Sequence, residues 1–163
     1  MTARPMRRTD RELERGECLA FLREAEYGVL ATVGSDGQPY GVPLSFWIDS
    51  EALYFHCTRK GYKLDNLAVN PRVSFTVAGN TRPVYDKGFT TRYTSVIVFG
   101  AAREVLDDTK KAEVLRALAE KYLPAHHDRV EDTITRLLSH TAVYAVDMET
   151  VTGKANRPKS EDG

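Results

Sequence analysis

His56, Cys57, Thr58, Lys60, Gly61 and Lys63 crowd into the segment "LYFHCTRKGYKLDNLAVNPRVSF", residues 53–75. Thr58 offers a hydroxyl, Lys60 and Lys63 supply positive charge, and Gly61 lets a ligand approach the backbone. A helix opening near Tyr62 leaves its first amides without partners. Together these are the parts of a phosphate site, because orphan N–H groups and cations attract an anion. The alternative is that Arg59, Lys60 and Lys63 form a solvated basic surface, with His56 an ordinary half-buried strand residue. There is no GxxxxGK[ST] and no GxGxxG in the chain, so any phosphate ligand is held by a different kind of loop.

These residues are placed by a strand and a short helix. In "LYFHC" alternation sets Leu53, Phe55 and Cys57 on one face and Tyr54 and His56 on the other. A Cys57/His56 dyad is therefore not expected, since neighbours on a strand point to opposite faces. After Cys57 the pattern turns helical, with Leu64, Leu67 and Ala68 on one side. The following "NP" ends the helix, because a residue before proline avoids the α region. His126 and His127 are adjacent and share no face, and no carboxylate spacing completes a metal site around them; both, and His140, read as structural.

Upstream, Thr9 and Glu12 resemble a capping box, and Leu13, Leu19, Phe21 and Leu22 predict a first helix over residues 10–24. "YGVLATV", "YGVPLSFWI", "ALYFHC" and "RVSFTVA" then predict strands of an antiparallel meander. The turn "GSDGQP" sets residues 31–33 against 40–42. "AGNTRPVYDKGF" reads as a loop, and "TTRYTSVIVFGAAREVL" as a long strand in which Gly100 marks a bulge or bend. Two helices follow, in "DDTKKAEVLRALAEKYLP" (inner face Val114, Leu115, Leu118 and Tyr122) and "DRVEDTITRLLS", before a last strand, "TAVYAVDME". The fold class is mainly β, a small β-barrel with peripheral helices. A doubly wound sheet is disfavoured, since no regular crossover helices separate the strands.

The 163 residues suit one domain, 1–163, with short polar tails at about 1–8 and 155–163. Lys plus Arg total 23, as do Asp plus Glu, so nothing global draws the chain to nucleic acid or an anionic membrane. Cys18 and Cys57 have no CxxC spacing, which suits a reduced, cytoplasmic protein without structural zinc. No apolar run approaches the roughly 20 residues of a membrane span, and the basic N-terminus lacks an apolar segment behind it.

"GVLATVGSDGQPYGVPLSFWID", "LYFHC" with "KGYKLDNLAVNPRVSF", "YTSVIVFGAAREV" and "TGKANR", in this order, resemble the FMN-binding split barrels related to pyridoxamine 5'-phosphate oxidase. Within them the chain resembles the Nim-like group, named for 5-nitroimidazole antibiotic resistance, over residues 6–157. The resemblance implies a six-stranded split barrel and a homodimer with FMN at the interface. It sets the phosphate against Thr58, Lys60, Gly61 and Lys63, and the ring along Val42, Pro43, Leu44 and Ser45. Pro43 inside a strand fits that placement, and fits a bare edge strand as well. His56 matches a histidine near the flavin, with Cys57 beside it. There an imidazole would hydrogen-bond a substrate or supply a proton. Tyr93 and Ser95 would approach from across the barrel or from the partner subunit; the other reading of Tyr93 is a packed strand aromatic.

The implied activity is an FMN-dependent oxidoreductase of flavin reductase or nitroreductase type, moving electrons from a reduced nicotinamide to a small-molecule substrate. The alternatives are a non-catalytic protein that binds flavin, haem or deazaflavin, and an interaction protein whose barrel only dimerises. The oxidases proper carry further basic residues near the C-terminus. Here "TGKANRPKSEDG" has only Lys154 and Arg157 in a different setting, so pyridoxamine phosphate is not the expected substrate.

Overall fold

Two residues, Ser45 and Phe46, close the barrel. The computed structural model describes residues 5–85 and 88–157. Its strands are β1 (Gly28–Val33), β2 (Pro39–Leu44), β3 (Trp47–Ile48), β4 (Ala52–Thr58), β5 (Arg72–Tyr85), β6 (Phe89–Glu104), β7 (Thr141–Asp147) and β8 (Thr150–Asn156). The helices are α1 (Arg15–Glu24), α2 (Tyr62–Val69), α3 (Asp108–Tyr122) and α4 (Val130–Leu137). The strands pair in the order β2-β1-β5-β6-β7-β4-β3, with β8 added to β6. β2 and β3 are the two ends of that order, yet only Ser45 and Phe46 separate them in the chain, so the sheet curls until its ends meet. The join is incomplete, since β3 pairs with β4 only at Trp47↔Tyr54 and Ile48↔Leu53. The fold is a split β-barrel, mainly β, with helices on its periphery.

The meander is corrected. The β1–β2 hairpin forms, with residues 31–33 opposite 39–41, one residue from the expected register. β1 then pairs with β5, while β4 pairs with β3 and β7, so strands adjacent in sequence part company after the hairpin. Eight strands stand where the resemblance implies six, because the bend after β2 opens a two-residue β3 and the segment after Met148 pairs as β8. β8 reaches Asn156, into the stretch expected as a polar tail; residues 1–4 and 158–163 of the expected tails lie outside the described residues. The loop expected at 78–89 is largely strand: β5 continues to Tyr85 past a register shift between Gly79 and Arg82, and β6 starts at Phe89, while Asp86 and Lys87 lie outside the described residues.

β6 passes from one sheet to the other beside Gly100, pairing with β8 up to Phe99 and with β7 from Ala102. A Cβ at Gly100 would run into the carbonyl oxygen of Asp147, so the crossing requires glycine. α1 starts later than predicted. Residues 9–11 form a 3-10 turn, and the Leu13 N–H donates to the Gly153 carbonyl at 2.9 Å. That tie to β8 holds the chain extended until Glu14, whose N–H donates to the Glu17 carboxylate.

The barrel interior is apolar, with Leu30, Phe46, Phe55, Phe75, Val96 and Val98 fully buried and Leu22 of α1 packed among them. A second cluster lies outside the barrel wall. There Val114 and Leu118 of α3 cover Tyr54, Val143 and Ala145. β4 and β7 thus have apolar packing on both faces along part of their length. No helix among the described residues is long and apolar enough to cross a membrane.

Candidate functional site

The seam where the barrel fails to close has two walls. On β4, pairing to β3 stops at Tyr54, so residues 55–58 have β7 on one side and no strand on the other. On β2, the Gly34 N–H donates to the Gln38 carbonyl. That bond sets the phase of the hairpin, so Pro39, Gly41 and Pro43 turn their backbone groups away from β1. Both prolines lack an N–H, which leaves the carbonyls of Pro39, Gly41 and Pro43 and the single N–H of Gly41 along the open edge. Val42, Leu44 and Cys57 all pack, partly buried, against the barrel core.

α2 springs from the end of the β4 wall. Gly61 precedes it at φ 135, a conformation that side-chain-bearing residues rarely adopt. Leu64 and Asp65 donate to the Gly61 carbonyl, leaving the amides of Tyr62 and Lys63 without backbone acceptors. Lys60 and Lys63 make no hydrogen bond or ion pair with the described residues, whereas Arg59 is engaged elsewhere, donating to the Ser139 carbonyl and pairing with Glu104 at 3.3 Å. The basic cluster seen in the sequence therefore divides: two lysines flank the helix start without partners among the described residues, and the arginine is structural. The Thr58 hydroxyl donates to the Lys60 carbonyl at 3.0 Å, fixing the loop between them.

Residues outside the predicted set hold α2 in place. Asn66 is buried on the inner face of α2 and its amide donates to the Thr32 hydroxyl at 2.9 Å, which in turn meets the Tyr40 carbonyl. The Tyr62 ring lies against Tyr40, centroids 4.6 Å apart, joining the helix to β2. A polar Asn between Leu64 and Leu67 on an apolar stripe is the signal in the sequence that points to such a tie.

His56 and Cys57 diverge as alternation requires. Cys57 turns inward; burial pushes its thiol up, opposed by the positive charge of Lys63. His56 turns outward on the face of Tyr54, opposite Val143. Its surface is exposed, yet enough of the fold surrounds it that burial lowers its pKa and favours the neutral imidazole. Tyr93 and Ser95 are not brought to this cleft within one chain. They lie on β6, opposite Asn156 and Lys154 of β8, and the Tyr93 ring is covered by Lys154 Nζ at 5.7 Å. Ser95 lines a separate open groove of about 700 Å³ over the outer sheet face, together with Ala31, Ser74, Ile97 and Thr152, and no residue of 42–45 or 56–63 lines it.

A family profile described as Pyridoxamine 5'-phosphate oxidase matches residues 14–155. The chain belongs to that family. Its members are flavin-binding proteins. A 5a,11a-dehydrotetracycline/5a,11a-dehydrooxytetracycline reductase from Streptomyces rimosus is 43% identical over 63 residues, 36% of this chain and 44% of the reductase. The chain thus spans less than half the length of this curated relative. Among solved structures, the flavocytochrome Anf3 from Azotobacter vinelandii superposes with a TM-score of 0.84 at 20% identity, covering 98% of this chain and 75% of that one. A protein described as a 5-nitroimidazole antibiotic resistance protein, from Bacteroides thetaiotaomicron, superposes with a TM-score of 0.74 at 20% identity, covering 90% of each chain. Both likenesses establish the split-barrel fold.

Proposed function

We propose that this chain is an FMN-dependent oxidoreductase that works as a homodimer, moving electrons from a reduced nicotinamide to a small-molecule acceptor. The observation that carries the reading is the pairing of an open β2 edge with uncompensated Lys60 and Lys63 at one end of the same seam. Two lysines that pair with no carboxylate among the described residues, a glycine at positive φ and two free helix amides suit a phosphate dianion, with Asp65 of the same first turn the one charge opposing it. The Gly41 N–H beside a free backbone carbonyl suits a ring carbonyl oxygen and the N3–H of a flavin, one donor and one acceptor matched in turn. The flavin, when bound, supplies the hydride chemistry; the protein binds, orients and desolvates it.

Thr58, Lys60, Gly61 and Lys63 hold the phosphate in this reading. Val42, Pro43, Leu44 and Ser45 run along the ring, and Cys57 lines the inner wall between them. His56, where burial favours the neutral imidazole, would in this reading accept or return a proton beside a substrate at the cleft mouth. Tyr93 and Ser95 face the cleft only from a second copy of the chain. Among the described residues, no helical residue lines the groove on the face that carries Ser95, which supports dimerisation through that face. The Streptomyces relative, a reductase, supports the direction of electron flow.

The test is a visible spectrum of the freshly purified protein, followed by titration of apoprotein with FMN and with riboflavin. Flavin bands and FMN binding at least about 10-fold tighter than riboflavin are expected, from the phosphate contacts. Equal affinity removes the phosphate site, and absence of flavin binding removes the cofactor, making a deazaflavin or haem the next ligand to titrate.

A further inference from the structure

The bend that closes the barrel is held by the last turn of α3. Phe46 is fully buried, and its N–H and C=O have no strand partner. Tyr122 answers both: its hydroxyl oxygen accepts from the Phe46 N–H at 3.0 Å and its O–H donates to the Phe46 carbonyl at 3.0 Å. The Lys121 ammonium donates to the same carbonyl at 3.0 Å and lies 4.2 Å from the centre of the Phe46 ring. The Tyr122 hydroxyl also meets the Ser45 side chain.

Lys121 pairs with no carboxylate among the described residues. The charged groups around it are Arg23 from α1, Asp49 after β3 and Glu120 of its own helix, while Glu26 faces Tyr122. A half-buried ammonium that loses hydration and gains one carbonyl is a poor device for stability alone. It is a good device for fixing the position of one peptide, because charge-assisted bonds are short and directional. That peptide is the hinge between β2 and β3, and Ser45 lies next to it.

We infer that Lys121 and Tyr122 are positioning residues for the bound flavin, locking the Ser45–Phe46 bend so that the β2 edge stands in register along the cleft. The inference rests on the flavin reading of that cleft. Burial also draws the Lys121 pKa down to about 8, so its charge is present below that value and is lost as pH rises through it. The lock then weakens on the alkaline side of neutrality.

The experiment compares wild type, Lys121→Met, Lys121→Arg and Tyr122→Phe as full-length proteins with FMN, measuring affinity by fluorescence titration and the visible spectrum of the bound flavin. Lys121→Met and Tyr122→Phe are expected to raise Kd about 10-fold and shift the flavin band, while Lys121→Arg restores both. Wild-type Kd is expected to rise between about pH 7 and 9, with no such slope in Lys121→Met. If Lys121→Met fails to fold, Tyr122→Phe, which keeps the ring, carries the test. Wild-type binding together with unchanged Kd and spectrum in the folded variants overturns the lock and leaves the flavin reading standing. No flavin binding by wild type overturns both.

Discussion

The two halves of β4 differ in everything that surrounds them. Residues 52–55 are buried on both faces, by the barrel core and by α3. Here Tyr54 Oη donates to Asp49 at 2.8 Å, and the same carboxylate accepts from the backbones of Glu51 and Ala52. That carboxylate also pairs with Lys110 at 3.4 Å. Residues 56–58 have a strand on one side only, and they lead to Lys60 and Lys63, which pair with no carboxylate among the described residues. The first half is packed as a protein interior, and the second is left open along one edge. Like charges that find no acceptor among the described residues, beside an open seam, contribute little to folding, which supports the proposed use of both lysines in binding.

The strongest way to sharpen this contrast is Phe55→Ala. Phe55 is fully buried and stacks on Tyr144 with centroids 5.6 Å apart. Its truncation is expected to cost about 3 to 5 kcal/mol in urea unfolding. Lys63→Ala should do the reverse. Unfolding should move by less than about 0.5 kcal/mol, while FMN affinity falls by about 1.5 to 3 kcal/mol, the worth of charge-assisted contacts. A Lys63→Ala protein as unstable as a core variant, with FMN affinity intact, would break the comparison.

Tyr54 offers a smaller effect with a definite pH signature. Burial, and then its hydrogen bond to Asp49, push the phenol from its ordinary 10.0 up to about 12. A pKa raised by folding contributes stability that is fully present below the unfolded value and lost as pH rises through the folded one. Wild type should therefore lose stability between pH 10 and 12, the interval spanned by those two values. Tyr54→Phe should show a flatter alkaline limb and a cost of about 1 kcal/mol at neutral pH. Equal alkaline slopes in the two proteins would place the titration elsewhere.

What was legible in the sequence follows from how local each signal is. The β1–β2 hairpin, α2 and the alternation of β4 are written within a few residues each, and the structure keeps them. The pairing of β4 with β7 joins Thr58 to Thr141, and no local pattern encodes a partner that far along the chain. β8 was missed because "TVTGKAN" is polar on its outer face and carries Gly153, whose bare α-carbon makes room for Cys18. At the cleft, residue types alone brought Arg59 into the basic cluster. Only the fold shows it spent on Glu104 and Ser139. The roles of Asn66, Lys121 and Tyr122 were invisible for a related reason, since each acts on backbone or hydroxyl groups supplied by a distant segment.

His56 gives the smallest expected effect and the finest test of where β4 changes character. Burial lowers its pKa from 6.5, so the folded protein binds this proton less readily than the unfolded chain. Stability from this group is therefore present above the unfolded value and is lost as pH falls from there through the folded one. His56→Gln should leave stability at pH 8 within about 0.5 kcal/mol of wild type and should remove a small part of the acid-side loss. The NMR titration of the imidazole should have its midpoint below 6.5. Turnover separates its two possible uses. If His56 moves a proton, His56→Gln loses one limb of the pH profile of kcat/KM while FMN affinity stays unchanged. If it only lines the cleft, the profile keeps its shape and scales down uniformly, and the second half of β4 is a binding wall without a proton carrier.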